Sequence, residues 1–331
     1  MKYFDTFTGI GGFTRAIEQA YETSTESKKL QREDLCLEGH SDSPESRVGE
    51  QQHTCVGYSE IDKYASSIYQ KHYPEHKNYG DITKINAEEL PDFDLLVGGF
   101  PCQAFSIAGK RGGFEDTRGT LFFDLARILQ TKKPRLFVFE NVKGLLSHDN
   151  GNTFKTIIKA IDELGYDTQW QVLNSKNFGV PQNRERVFIV GHLRGTRRPE
   201  VFPIGTQSVE DTRRTGQEVS YTIDANYAKG TNTITKGRRQ IVSPHNRRTE
   251  FKTSEICNTL TSHYRGSPDG DGRPAVLDDM QIRRLTPVEC ERLQGFPDNW
   301  TEGISDTQRY KCCGNAVTVN VVQAIMERLL K

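Results

Sequence analysis

KYFDTFTGIGGFTRAIEQAY, residues 2–21, decides the fold because it combines a strand, a glycine-rich turn and a helix in immediate succession. The turn carries glycines at positions 9, 11 and 12, and apolar side chains recur with helical spacing from residue 13 onward. Such a unit opens nucleotide-binding α/β domains, in which glycines let a ligand approach the backbone closely. The dinucleotide fingerprint is broken, because Thr14 stands where a third glycine is expected. A tight turn without a ligand therefore stays an alternative at this point.

A second stretch, GGFPCQAFS at residues 98–106, directly follows the apolar run 93–97. The run is short and bounded by turn residues, so it predicts a buried strand that ends in a sharp turn presenting the thiol of Cys102. Pro101 stiffens the chain before this thiol, and the glycine-rich, basic residues 103–119 suit a lid. The alternative is a buried structural cysteine.

Acidic residues follow other predicted strands. Glu60 and Glu140 each come directly after a β-prone run, and Asp81, which follows Gly80, is predicted to lie at the end of a third strand. Ligands of open α/β sheets bind at the carboxyl ends of the strands, so Glu60 suits a ribose and Glu140 suits chemistry beside Cys102. Each acid could instead cap a helix, which is a common use of Asp and Glu.

The segment QNRER, residues 182–186, leads into a predicted strand at 187–191. Because side chains alternate along extended backbone, Arg184 and Arg186 are predicted to share one face. They are either salt-bridged surface arginines or planar donors aimed at a base carbonyl or a phosphate.

Composition and charge bound the possible classes of protein. The chain has 331 residues, no net formal charge and seven cysteines. The odd cysteine count, without paired framework spacing, favours reduced thiols. There is no basic, apolar leader at the start and no apolar run of the about 18 residues that a membrane span needs. We therefore expect a soluble intracellular protein.

Two polar segments interrupt the α/β pattern. Residues 22–53 are acidic, lack apolar periodicity and are predicted to be an exposed, disordered insertion. They contain cysteine and histidine, but the spacing fits no closed zinc motif, so we predict no metal. Residues 194–275 hold 14 Lys/Arg against 9 Asp/Glu. Within this basic region, residues 221–227 and 258–264 resemble each other, which favours a small β-rich module that presents side chains to nucleic acid over a solvated loop.

Near the end of the chain, Thr286 and Pro287 predict the cap and first position of a helix. Gly314 and Asn315 suit a tight turn near a ligand, and a last helix is predicted at about 317–330.

Taken together, these segments resemble the cytosine-C5 DNA methyltransferase family over nearly the whole chain, in both order and spacing. The matching motifs are FTGIGG (7–12), Glu60, GD (80–81), GGFPCQ (98–103), ENV (140–142), QNRER (182–186), RLTPVEC (284–290) and GNAV (314–317).

The resemblance implies an α/β fold with two domains. A Rossmann-like, S-adenosylmethionine-dependent methyltransferase domain would comprise residues 1–193 plus 305–331, with the insertion 22–53. A smaller β-rich target-recognition domain would comprise residues 194–280, and residues 281–304 would form a hinge segment.

The resemblance also implies a mechanism. Cys102 would add to C6 of a cytosine extruded from the duplex, which makes C5 nucleophilic toward a methyl group. Glu140 would hydrogen-bond N3 and the exocyclic amine of the base. Arg184 would contact the base carbonyl, with Arg186 supporting it. The base that removes the C5 proton stays open, as a residue or water.

The implied cofactor is S-adenosyl-L-methionine, with S-adenosyl-L-homocysteine as product and no metal. The family pattern implies a cofactor wall formed by Phe7, Gly9, Gly11, Glu60, Ile61, Asp81, Ile82, Pro101, Leu121, Asn315 and Val317. Ile61 departs from the pattern, because the family often has an aromatic residue there.

The expected partner is double-stranded DNA, and a restriction endonuclease that acts separately is a candidate. We predict a monomer in the cytoplasm of a prokaryote, as in restriction-modification systems. Three alternatives stay open: the same chemistry on tRNA, a nicotinamide-dependent oxidoreductase of the same fold class, and a catalytically silent DNA-binding protein. The first is disfavoured by the basic segment 194–280. The second needs an intact glycine fingerprint and no Cys-Glu pair, and the third leaves the catalytic residue types unexplained.

Overall fold

A six-stranded sheet forms the centre of the protein. The computed structural model describes residues 1–37, 53–101, 121–204, 257–258, 275–278 and 281–330. The strands of the sheet are β1 (Lys2–Thr6), β2 (Thr54–Ser59), β3 (Leu95–Gly99), β4 (Leu136–Val142), β5 (Tyr166–Asn174) and β7 (Glu185–Leu193). The short strand β6 (Gln182–Asn183) lies outside this sheet and pairs with β8 (Cys257–Asn258).

The order of strands across the sheet is β2-β1-β3-β4-β7-β5. The first four are parallel, whereas β7 runs antiparallel to both β4 and β5. The chain moves from β1 to β2 in one direction and to β3 in the other, so a crevice opens at the carboxyl ends of these strands. The predicted α/β class is confirmed, and the sheet is mixed.

Strand β3, at the centre of the sheet, has no polar side chain, because both faces of the sheet are covered there. Successive residues of β3 alternate between two apolar clusters. Leu95 and Val97 belong to one and Leu96 to the other, and all three are fully buried. This explains why the strand appears in the sequence as a continuous apolar run.

The described part of the chain contains seven α-helices. They are α1 (Gly12–Leu37), α2 (Lys63–His72), α3 (Leu121–Lys132), α4 (Asn152–Glu163), α5 (Pro287–Leu293), α6 (Asp306–Asn315) and α7 (Val319–Leu329). Helix α7 packs against α1, so the end of the chain returns to the first structural unit. Among these helices none combines the length and apolar character needed to cross a bilayer.

The N-terminus of α5 has the predicted cap. The side chain of Thr286 accepts from the amide of Glu289 (3.2 Å), and the Glu289 carboxylate accepts from the amide of Thr286 (2.6 Å). This reciprocal capping box satisfies two amides of the first turn. Before it, β9 (Ala275–Asp278) and β10 (Gln281–Arg284) pair antiparallel. Most of the predicted target-recognition domain, 194–280, lies outside the described residues.

Two segments differ from the sequence prediction. Helix α1 continues through Leu37 rather than giving way to irregular chain at residue 22. Glutamate, lysine, glutamine and leucine are good helix formers, and they carry a helix without an apolar stripe. Asn315 ends α6 instead of lying in a tight turn, and the chain becomes extended at Ala316.

A carboxyl group lies in the apolar interior next to the glycine turn. Asp5 of β1 is 0% exposed, and its Oδ2 accepts from the hydroxyl of Thr14 (2.9 Å). Its Oδ1 has no hydrogen-bond partner within the described structure. Burial raises the pKa of this carboxyl to about 7. The buried acid therefore takes up a proton on folding when the pH lies between the ordinary value for aspartate and neutrality.

The Asp5→Asn variant should remove this pH dependence. In the wild type the contribution of Asp5 to the free energy of unfolding falls as the pH rises from about 4 to 7, because the carboxyl ionises in this range only in the unfolded chain. Above about pH 7 the contribution stays constant. The free energy of unfolding of the variant should therefore exceed that of the wild type by about 1–3 kcal/mol at pH 8 and by little at pH 4.5. Denaturant unfolding at the two pH values measures the difference. An equal change in the free energy of unfolding at both pH values would show that Asp5 is already ionised in the folded protein at the lower pH.

Candidate active site

The carboxyl ends of β1 and β2 meet at the glycine turn. Phe7, Gly9 and Gly11 all have positive φ angles, of 51°, 57° and 91°. This conformation is rare for a residue with a β-carbon, so Phe7 is held in a strained backbone by its surroundings. The amide of Gly9 donates to Oε2 of Glu60 (2.8 Å), which joins the turn to the end of β2.

Glu60 is oriented by backbone donors on both sides. Besides the bond from Gly9, its Oε1 accepts from the amide of Asp62 (2.7 Å). Burial raises the pKa of the carboxyl, and these amide donors oppose that effect. A carboxylate has about four acceptor positions, more than these backbone donors use, so Glu60 can accept hydroxyl donors such as those of a ribose.

Ile61 and Asp81 flank this carboxylate, and they differ in exposure. Ile61 is 75% exposed, although it is a large apolar residue. Asp81 caps the short 3₁₀ helix that begins at Ile82, because its side chain accepts from the amide of Thr83 (3.0 Å). The segment before Asp81 forms only an isolated bridge with β2, not the third strand that we expected. Ile82 is buried in the core, so it can face a ligand only with its backbone.

The C-terminal segment closes the crevice from the other side. A β-carbon placed on Gly12 would lie 2.6 Å from Cγ1 of Val317, so only glycine allows this approach. Val317 is buried, and Asn315 is exposed at the end of α6. Gly12 was not among the predicted site residues, although its place in the glycine turn could have indicated it.

Strand β3 leads to Phe100 and Pro101, where the described chain stops. Cys102 and the predicted lid 103–119 lie outside the described residues, and Leu121 begins α3 beyond them. The side-chain amide of Asn141 donates to the carbonyl of Phe100 (2.9 Å), so the end of β4 fixes the chain just before Cys102. Sequence reasoning missed this role of Asn141.

Glu140 lies at the end of β4, directly across from Gly99 in the neighbouring strand. Its Oε1 is 3.0 Å from Nε of Arg186, and both side chains are largely buried. Burial lowers the pKa of the Arg186 guanidinium, while Glu140 opposes that effect. A β-carbon on Gly99 would lie 3.0 Å from Oε2 of Glu140, so the glycine provides the space beside this carboxylate.

Arg184 binds the C-terminal segment. It is 2% exposed, and its guanidinium donates to the carbonyl oxygens of Ala316 (2.8 Å) and Gly314 (3.2 and 3.3 Å). The Gly314 carbonyl belongs to the last turn of α6, which leaves it without a helical partner, and the Ala316 carbonyl follows the end of the helix. Burial lowers the pKa of Arg184 to about 9.

The family resemblance implied that Arg184 contacts the base carbonyl and that Arg186 supports it. In the structure Arg186 is the arginine paired with Glu140, while Arg184 binds the backbone of the C-terminal segment.

The crevice thus has a glycine turn with an oriented carboxylate at one end, and at the other a largely buried carboxylate-guanidinium pair beside the end of β3. No group of three or more possible metal-ligating side chains occurs within the described ranges. The donors fit a nucleoside-containing ligand at one end and a polar heterocycle at the other.

Comparison with known proteins decides the family. The family model described as C-5 cytosine-specific DNA methylase matches residues 1–331. The chain belongs to the C-5 cytosine-specific DNA methylase family.

Two relatives illustrate the similarity. This cytosine-C5 DNA methylase is 43% identical over 288 residues to the Type II methyltransferase M1.ScrFI of Lactococcus lactis subsp. cremoris, covering 82% of this chain and 71% of the relative. It is 36% identical over 338 residues to the Type II methyltransferase M.HhaI of Haemophilus parahaemolyticus, covering 98% of this chain and 93% of the relative. The enzyme is accordingly a DNA cytosine-C5 methyltransferase, and the DNA interpretation is supported over the tRNA alternative.

Solved structures with this fold include the S. pombe Dnmt2 methyltransferase, with a TM-score of 0.64 and 19% identity. That match covers all of this methylase and 98% of the other chain. At such low identity the likeness concerns the fold alone.

Proposed function

We propose that Cys102 is the nucleophile of this methylase and that it adds to C6 of a cytosine rotated out of a DNA duplex. The observation that carries the proposal is the Glu140–Arg186 pair, 3.0 Å apart, at the end of the strand next to the one that leads to Cys102. Parallel strands in register bring their carboxyl ends together, so the described chain reaches Pro101, the residue before Cys102 in the sequence, at the same edge as this pair.

Glu140 has the role of binding the base. It hydrogen-bonds N3 and the exocyclic amine of cytosine, which stabilises the charge that develops on the ring as the thiolate adds. Arg186 holds the carboxyl group and is the planar donor nearest to it, which suits the base carbonyl. When the C5 proton is removed later, the C6–sulfur bond breaks and Cys102 leaves as thiolate.

Arg184 acts differently in this proposal. Its guanidinium ties the segment that carries Asn315 and Val317 to the start of β7. It is therefore a positioning residue that joins the base site to the cofactor wall.

The residues of the glycine turn fit S-adenosylmethionine, which supplies an electrophilic methyl group when bound. Glu60 accepts the ribose hydroxyls, and Gly9 and Gly11 leave room for the amino-acid part. The exposed side chain of Ile61 packs on the adenine. The remaining wall comprises residues that the family pattern names, which are Phe7, Asp81, Ile82, Pro101, Leu121, Asn315 and Val317.

The Ile61→Phe variant should bind the methyl donor more tightly. An aromatic ring stacks on a purine more favourably than a branched aliphatic side chain does, and such stacking contributes about 1–3 kcal/mol by alanine substitution. We expect the dissociation constant of S-adenosylmethionine to fall about 3- to 10-fold, and to rise in Ile61→Ala. Calorimetric titration measures both. Unchanged affinity in the two variants would remove Ile61 from the adenine site.

Sequence readout belongs, in this proposal, to residues 194–280, whose basic composition suits phosphate contacts. Residues 103–119 act as the lid over the flipped base, and 281–304 as the hinge. The enzyme works as a monomer on cellular DNA in the prokaryotic cytoplasm, without a metal, alongside a restriction endonuclease that acts separately.

A labelling experiment tests the proposed reaction. The purified chain is incubated with methyl-labelled S-adenosylmethionine and either duplex DNA or tRNA, and modified cytosines are located by bisulfite sequencing. We expect label in duplex DNA at C5 of one cytosine in a fixed sequence context. Label in tRNA but not in DNA would contradict the proposal.

A further inference from the structure

An ion pair joins the two walls of the proposed cofactor site. Nζ of Lys311, in α6, donates to Oδ2 of Asp62 at the start of α2, at a distance of 2.6 Å. The two residues are 249 positions apart in the chain. Lys311 lies one turn before Asn315, and Asp62 lies two residues after Glu60, so the pair connects the segments that carry these two groups.

Asp62 connects Lys311 to the ribose acid. Its Oδ1 accepts from the amides of Tyr64 (2.9 Å) and Ala65 (3.2 Å), which caps α2. Its own amide donates to Oε1 of Glu60 (2.7 Å). Burial raises the pKa of the Asp62 carboxyl, but the bonds from Lys311 and the cap amides outweigh burial, and its pKa is lowered overall. The carboxylate is therefore ionised at neutral pH, as an ion pair requires.

The other end of the bridge is also fixed. Lys311 precedes the end of α6, whose last carbonyls are held by Arg184. Val317 follows and packs on Gly12 of the glycine turn. Lys311 is thus connected through α6 to Asn315 and Val317, and through Asp62 to Glu60.

We propose that Lys311 is a positioning residue for the methyl donor, which sets the separation between Glu60 and the 315–317 wall through its bond to Asp62. The proposal rests on the assignment of these residues to the cofactor site. The two side chains of the ion pair are partly exposed: the exposed fraction is 42% for Lys311 and 27% for Asp62. Salt therefore screens the pair, and cofactor affinity should depend on ionic strength without any DNA present.

Lys311→Met tests the proposal, since it keeps an unbranched side chain and removes the charge. We expect the dissociation constant of S-adenosylmethionine to rise about 3- to 10-fold, the range typical of a partly exposed ion pair and its hydrogen bond. The turnover number at saturating cofactor should stay within about 2-fold, because Lys311 does not touch the reacting base. Lys311→Arg should restore most of the affinity.

Asp62→Asn provides the complementary variant, because asparagine caps a helix as well as aspartate does. Its effect on cofactor affinity should equal that of Lys311→Met, and the double variant should be no weaker than either single one. The matched control is Lys132→Met. That residue also forms an ion pair, with Asp92 at 2.7 Å, but lies at the opposite end of β3. It should leave cofactor affinity unchanged.

Ionic strength supplies a measurement that requires no variant. Raising it from about 0.05 to about 1 M should weaken cofactor binding by the wild type and leave binding by Lys311→Met nearly constant. Equal salt dependence of the two proteins, or wild-type affinity in Lys311→Met, would overturn the proposal. If the wild type itself failed to bind S-adenosylmethionine, the assigned cofactor site would be wrong instead.

Discussion

Replacing Cys102 with alanine is expected to abolish methyl transfer to DNA, by at least about 10⁴-fold, while the affinity for S-adenosylmethionine stays within about 2-fold. An unsubstituted pyrimidine C5 is a poor nucleophile, and addition of sulfur at C6 is what activates it. Alanine has no atom that can form this bond. The proposed cofactor wall includes Glu60 and Val317, whose contacts with Gly9 and Gly12 do not involve the thiol.

The measurement is single-turnover transfer of labelled methyl groups, together with calorimetric binding of the cofactor. Cys36→Ala is the matched control, because the sequence puts that cysteine in the acidic segment 22–53, away from the catalytic motifs. It should retain full activity. Transfer by Cys102→Ala at more than a few per cent of the wild-type rate would show that another group is the nucleophile.

Glu140→Gln should slow methyl transfer about 10²- to 10⁴-fold. Glutamine has nearly the same shape and can still accept from Arg186, but it cannot supply a proton toward N3 as the thiolate adds. The loss should therefore appear in the chemical step, with the fold and cofactor affinity preserved.

A neighbouring carboxylate provides the control for Glu140. Glu185 in β7 pairs with Lys143 at 2.9 Å and is much more exposed, so Glu185→Gln removes the same charge outside the base site. We expect it to change the rate by no more than about 3-fold, within the range for surface ion pairs. Similar losses in the two variants would indicate a general electrostatic effect rather than base binding by Glu140.

The positions of the main acids could be predicted from sequence because they follow buried parallel strands. Such strands are short apolar runs bounded by glycine or proline, and their carboxyl ends share one edge of the sheet. Glu60 and Glu140 were located by this argument alone. The capping box at Thr286 was equally clear, since it depends only on residues three positions apart.

Features that depend on distant contacts could not be predicted in this way. Arg184 binds carbonyl oxygens more than a hundred residues away in the sequence. Helix α6 has few apolar residues, so its sequence pattern did not indicate a helix. The Lys311–Asp62 pair likewise joins two segments that only the fold brings together.

The polar segment 22–53 shows the limit of compositional reasoning. Its residues up to Leu37 continue α1, because helix propensity does not require an apolar face. The absence of periodicity indicated exposure, which is a different property from irregular structure.

The most direct test of covalent catalysis uses duplex DNA in which the target cytosine carries fluorine at C5. Fluorine cannot leave as a cation, so the sulfur adduct formed after methyl transfer is trapped. Incubation with S-adenosylmethionine, followed by digestion and mass spectrometry, should give a peptide bearing the modified base at Cys102 in stoichiometric yield. Absence of any adduct on DNA that the enzyme otherwise methylates, or an adduct on a different residue, would contradict the account.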